Sequence, residues 1–163
     1  MMKEKFNSLR DKFPEISTLL RPPTTDSTLL VKAKSLDLPN DYYDIYSMFD
    51  GEEDNSNGVF GLHKLLPLSE SLAKQITDKN ELKDIPNKYQ YDLFVPVFKT
   101  PGRQMIGYAK HGDEWDFAEY DIWLSKHREE SVNGFLHVFF DKLEKDGYTT
   151  EDGINGLIDI DEM

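Results

Sequence analysis

The sequence contains no cysteine. That single absence removes disulfides, thiolate metal sites and cysteine nucleophiles from consideration. No apolar run approaches the roughly 20 residues needed to span a bilayer. The opening stretch MMKEKFNSLRDKF lacks the apolar segment of a secretory signal, so a soluble, cytoplasmic protein is expected. Positive charge is scarce: 19 basic residues face 31 acidic ones, for a formal charge of −12. Lys3, Lys5, Arg10 and Lys12 are the nearest approach to a basic cluster. A phosphate backbone or an anionic membrane surface would meet a repelling field, so neither nucleic acid nor membrane is an expected partner. A basic partner would be drawn in, over the roughly 8 Å that charges reach at physiological salt.

Aromatic residues, by contrast, are plentiful: 10 Phe, 8 Tyr and 2 Trp among 163 residues. That content argues against disorder despite the charge. A chain of this length buries about 70% of its extended surface when folded, enough for one core without metal or disulfide staples. A single domain over residues 1–163 is expected, with an N-terminal helical segment (1–26), a core (27–146) and an acidic C-terminal extension (147–163).

Periodicity supplies the elements. Phe6, Leu9, Phe13 and Ile16 repeat at helical spacing, and Pro14 should split that helix in two. Ser27 is placed to cap a helix from Thr28 to about Leu36. Pro39 opens another, whose Tyr42, Ile45, Tyr46 and Phe49 share a face and which Gly51 ends. Residues 52–58 (EEDNSNG) read as an acidic, turn-rich loop. Short strands are expected at Val59–Leu62 and Leu65–Leu68, then a helix from Ser69 to about Asp78 and an irregular stretch over 84–91. Leu93–Phe98 should be a strand, with Pro96 marking an edge or bulge. It returns through Thr100–Arg103 into Met105–Ala109, and one further strand is expected from Trp115 to Trp123. Val132, Phe135, Leu136, Phe139, Phe140 and Leu143 mark the widest apolar helix face, closed by Gly147 as C′ glycine. Ile154, Leu157, Ile158 and Ile160 imply that the acidic tail docks. Helices, then strands, then a helix make an α+β fold with helices packed on a mainly antiparallel sheet.

Sites of chemistry are sparse. A calcium loop needs Asp, Gly and Glu at positions 1, 6 and 12; starting at Glu53 puts Gly58 at position 6 but Lys64 at 12, and starting at Asp50 puts Asn55 and Gly61 there, so neither register works. His63, His111, His127 and His137 have no zinc-ligand spacing and read as isolated surface histidines. There is no nucleophile elbow, phosphate loop or dinucleotide fingerprint. No metal, cofactor or catalytic residue is assigned. The candidate contact residues are the acids Asp50, Glu52, Glu53 and Asp54 with the aromatics Trp115, Tyr120 and Trp123. Acids would give encounter rate and orientation, and aromatics would give buried anchors. The alternative for the aromatics is a sheet face packed on a helix.

Leu38-Pro39-Asn40-Asp41-Tyr42, followed by Ile45-Tyr46 and Asp50-Gly51, resembles the signature of the SUKH superfamily, which includes the yeast cell-wall glucan-synthesis regulator and many bacterial immunity proteins. Leu65-Leu66-Pro67-Leu68, the helix from Ser69, Val95-Pro96-Val97 and the Phe135–Leu143 helix resemble its later elements in order. Asp50 stands where that pattern has Asn, and Glu52 where it has a second Gly. The resemblance implies a non-enzymatic α+β domain acting through protein contact. In bacteria that role is to bind and neutralise a cognate toxin, and a basic nuclease would suit this charge. A scaffolding role in cell-wall synthesis and a carboxylate-based enzyme are the remaining alternatives.

Overall fold

A computed structural model describes residues 2–83 and 90–163. Within the irregular stretch expected over 84–91, residues 84–89 lie outside that range. Among the described residues are helices α1 (Met2–Lys12), α2 (Pro14–Ser17), α3 (Ser27–Lys34), α4 (Asn40–Met48), α5 (Leu68–Ala73) and α6 (Val132–Glu144). The strands are β1 (Lys64–Leu65), β2 (Leu93–Lys99), β3 (Met105–His111), β4 (Glu114–Asp121), β5 (Trp123–Lys126), β6 (Tyr148–Glu151) and β7 (Ile154–Asp159). Strands β1 to β5 form one antiparallel sheet in sequence order, and β6 and β7 form a separate hairpin. The fold is therefore α+β, as the element order implies.

One face of the sheet, through Val95, Val97, Tyr108 and Phe117, joins α1, α4 and α6 in the main core. That core runs from Phe6 and Leu9 to Leu157, so both end segments pack into it. The other face carries a smaller cluster of Leu82, Tyr91, Phe94, Ala109, Ala118 and Leu124. Pro14 does separate α1 from α2, and Pro39 does stand just before α4. Proline has no amide proton, so each sits where none is missed. Pro96 lies at a register shift between Pro96 and Phe98. Its carbonyl instead accepts from the Ser71 hydroxyl at 2.5 Å, and that hydroxyl also lies 2.8 Å from the Tyr42 hydroxyl. This chain of polar contacts ties α4 and α5 to the bulge of β2.

Several local expectations are corrected. Asp26, not Ser27, caps α3, because its Oδ1 accepts the amides of Thr28 and Leu29. Val59–Leu62 forms turns instead of a strand, β1 is only two residues long, and α5 ends at Ala73. Gly147 is not the left-handed residue after α6. Asp146 is (φ 57°), and the amides of Asp146 and Gly147 then reach back to the carbonyls of Leu143 and Lys142. A Cβ on Gly147 would meet Lys142 Cγ at 2.4 Å, so close approach explains the glycine. The strand expected from Trp115 to Trp123 is two strands, turning back at Ile122.

The start of α6 is held from three directions. Its first amide, Val132, donates to the Tyr108 hydroxyl at 3.0 Å; Asn133 donates to Asp41 Oδ2 at 3.0 Å; Gly134 donates to Ser131 Oγ at 3.0 Å. Tyr108 in turn donates to Asp41 Oδ1 at 2.5 Å, and burial raises the pKa of its hydroxyl. One buried carboxylate on α4 thus satisfies one orphan donor of a helix 92 residues later and holds the tyrosine that satisfies another.

Candidate functional site

The loop that follows α4 begins at Gly51 (φ 71°), whose missing side chain lets the backbone pass Pro67. The four acids after α4 do not form one surface patch. Asp50 is half-buried: its Oδ1 accepts the Leu68 amide at 2.8 Å, starting α5, and Oδ2 lies 3.9 Å from the Arg21 guanidinium. Glu52 is fully buried. Its Oε1 accepts from Ser56 Oγ (2.5 Å) and the Val59 amide (3.0 Å), and its Oε2 from the Leu65 amide (2.6 Å). Glu52 therefore cannot contact a partner; it pins the loop to itself and to β1. Burial pushes its pKa up to about 7 against the pull of these three donors. Only Glu53 and Asp54 are exposed.

The aromatics separate as well. Trp115 is half-buried against the main core; its indole donates to the Asp37 carbonyl at 2.9 Å, and the Lys110 ammonium lies 5.5 Å from its ring. Tyr120 packs on the smaller cluster. Trp123 alone is largely exposed, at 50%, and its neighbour Ile122 is 63% exposed. Ile122 holds φ at 74°, a conformation that a β-branched residue adopts only under strain. The pairing of Asp121 with Trp123 turns the chain at Ile122 alone. The composition carried the aromatic signal, but nothing local marks Ile122 as a corner.

Sheet register places this corner relative to the loop acids. Lys64 pairs with Lys99, Lys99 with Met105, Met105 with Tyr120 and Tyr120 with Leu124. The start of β1, the β2–β3 turn and the Ile122 corner therefore share one end of the sheet, spanning four strand spacings, about 19 Å. Asp54 joins that end through its carbonyl, which accepts from the Lys64 ammonium at 3.2 Å.

A cleft of about 540 Å3 opens beside α6, lined by His63, Glu119, His127, Glu129 and Phe135 among others. Contrary to the surface expectation, the His127 side chain is only 7% exposed. Its ring stands edge-on to Phe117 and Phe135, with Nε2 3.2 Å from Glu119 Oε1 and Nδ1 2.7 Å from Glu129 Oε2. His63 Nδ1 lies 3.1 Å from the carbonyls of Phe60 and Gly61. The spacing of Glu119, His127 and Glu129 matches no metal motif. Among the described residues no group of three or more His, Asp or Glu side chains is arranged to hold a metal ion, and no helix is long and apolar enough to cross a membrane.

No family model and no curated protein sequence matches this chain.

Proposed function

We propose that this chain is a non-enzymatic protein-binding domain, an immunity protein of the SUKH type that binds and neutralises a basic toxin in the cytoplasm. The observation that carries the reading is the Ile122–Trp123 corner. Two adjacent large apolar side chains are exposed there on a strained backbone. Burial in the free protein would favour the opposite, and tryptophan is enriched among the few residues that supply most binding energy at interfaces. Exposed Asp121 borders the corner, and Glu53 and Asp54 stand near the same end of the sheet. Lys99 and Arg103 lie between them, so attraction of a basic partner comes from the whole-molecule charge of −12 rather than from a purely acidic patch. A patch about 19 Å wide suits the roughly 800 Å2 that each partner buries in a standard interface.

The test compares two immobilised baits, the native chain and the Ile122→Asn/Trp123→Ala variant, against lysate and secreted protein of the source at two salt concentrations. The expected result is a basic protein held by the native chain, more weakly at high salt, lost from the variant, and no longer toxic when the native chain is added. A retained protein whose toxicity persists would overturn the immunity role, and equal retention by both baits would overturn the corner as the contact.

A further inference from the structure

Lys64 and Lys99 stand directly opposite each other where β1 pairs with β2. Directly opposed side chains leave an antiparallel sheet on the same face, with Cβ atoms about 5 Å apart, so like charges there repel. Their neighbours Leu65 and Phe98 enter the main core, which sends both lysines to the other face. Both are half-buried. Together with Asp54, Thr100 and Gly102 they line a second cleft, of about 340 Å3, between the acidic loop and the β2–β3 turn.

With 31 acidic residues against 19 basic ones, lysines in this chain readily find carboxylates. Lys12, Lys126, Lys142 and Lys145 each lie within ion-pair distance of one. Among the described residues no carboxylate comes that close to Lys64 or Lys99. The Lys64 ammonium donates one of its three protons to the Asp54 carbonyl at 3.2 Å. No acceptor among the described residues takes a proton from the Lys99 ammonium. Two half-buried, mutually repelling ammonium groups therefore share one cleft, and most of their donors are left to whatever fills it.

We propose that Lys64 and Lys99 form a binding site for a phosphate group. A phosphate group carries close to two negative charges at neutral pH and several acceptor oxygens, so it can bridge both ammonium groups and end their repulsion. A carboxylate would bring only one charge. The Thr100 hydroxyl on the same wall is a further donor, since its contact with the Gln104 carbonyl, at 3.4 Å, is long. The overall charge of −12 does not exclude the anion, because charges reach only about 8 Å at physiological salt. Within the cleft the charged groups are Lys64, Lys99 and Asp54, two positive against one negative. Exposed Arg103, in the adjoining turn, adds to the positive side. The site does not depend on the toxin-binding reading, and its test needs no partner.

The experiment titrates the native chain, Lys64→Gln, Lys99→Gln and Lys99→Arg with sodium phosphate at pH 7.5. Sodium chloride is exchanged out to hold ionic strength, and amide signals are followed by NMR. The expected result is saturable shifts at Lys64 and over 99–103, with Lys142 and Lys145 unshifted. Affinity should fall at least tenfold in each Gln variant and stay within threefold of native in Lys99→Arg, which keeps the charge. Unchanged signals from β4 and α6 in the Gln variants show that the fold is kept. A phosphoserine peptide, titrated in parallel, separates the sources of the group: tighter binding than inorganic phosphate assigns it to a modified protein, and equal binding to a small molecule. Equal shifts at Lys142 and Lys145 would mean an adventitious ion only, and native affinity in Lys99→Gln would equally overturn the site.

Discussion

The loop after α4 and the corner after β4 invert what their side chains suggest. The loop is acidic and polar, yet Glu52 within it is fully buried and bonded to three donors. The corner carries Ile122 and Trp123, yet both are exposed and the backbone beneath them is strained. Residue type alone would assign the first to the surface and the second to the core. The difference lies in donors: the loop offers amides that only an acceptor can satisfy, whereas at the corner none of the described residues forms a layer that covers the apolar groups. A buried carboxylate is thus a structural fastener here, and the exposed tryptophan is the feature that the proposed function assigns to a partner.

The sharpest way to break this contrast is Glu52→Ala. It leaves the Val59 and Leu65 amides without their acceptor and the Ser56 hydroxyl with only the Asn155 carbonyl at 3.4 Å. At about 1–3 kcal/mol for each buried group, the loss should be of order 3–5 kcal/mol, read as a urea midpoint and a melting temperature lower by roughly 6–20 °C. Asp41→Ala should cost somewhat less, about 2–3 kcal/mol, since it frees the Asn133 amide and the Tyr108 hydroxyl. An unchanged midpoint in either variant would mean that these carboxylates do not hold the loop or α6.

Glu52 also makes stability depend on pH. Its folded pKa is raised from 4.5 to about 7. Between those values the folded chain retains a proton that the unfolded chain has released, so this stabilisation is complete below about pH 4.5 and is lost as pH rises through 7. The native chain should therefore lose more stability than Glu52→Gln between pH 5 and 7.5, by a few kcal/mol at most; parallel urea profiles would contradict it.

The smallest effect is expected at the corner. Ile122→Asn removes little burial and places a residue tolerant of positive φ at the strained position. It should stabilise the chain by about 1 kcal/mol while weakening partner binding. A destabilised Ile122→Asn would show that Ile122 packs in solution.

Much of the framework was legible in the sequence. Pro14, Pro39 and Pro96 mark a helix break, a helix start and a bulge because a missing amide and a fixed φ act locally. The β2–β3 turn and the apolar face of α6 follow from Thr100–Arg103 and from 3.6-residue periodicity. What was not legible depends on partners distant in sequence. Glu52 looked like one of four loop acids, since the Leu65 amide that claims it lies 13 residues on. Asp41 was read only as part of a resemblance, although it caps a helix 92 residues later. His127 gave no spacing signal because Glu119 and Phe135 reach it from β4 and α6. The Ile122 corner has no glycine, proline or asparagine, so one strand was the natural reading where two exist. Trp115, Tyr120 and Trp123 stand close in sequence, but only Trp123 is largely exposed, because Trp115 and Tyr120 pack against the two cores.

The most direct measurement is a side-by-side urea titration of the native chain, Glu52→Ala and Ile122→Asn/Trp123→Ala. The account predicts a midpoint far below native for Glu52→Ala and one at or above native for the corner variant. A corner variant that falls as far as Glu52→Ala would contradict it, because Ile122 and Trp123 would then belong to the packed fold instead of the contact surface.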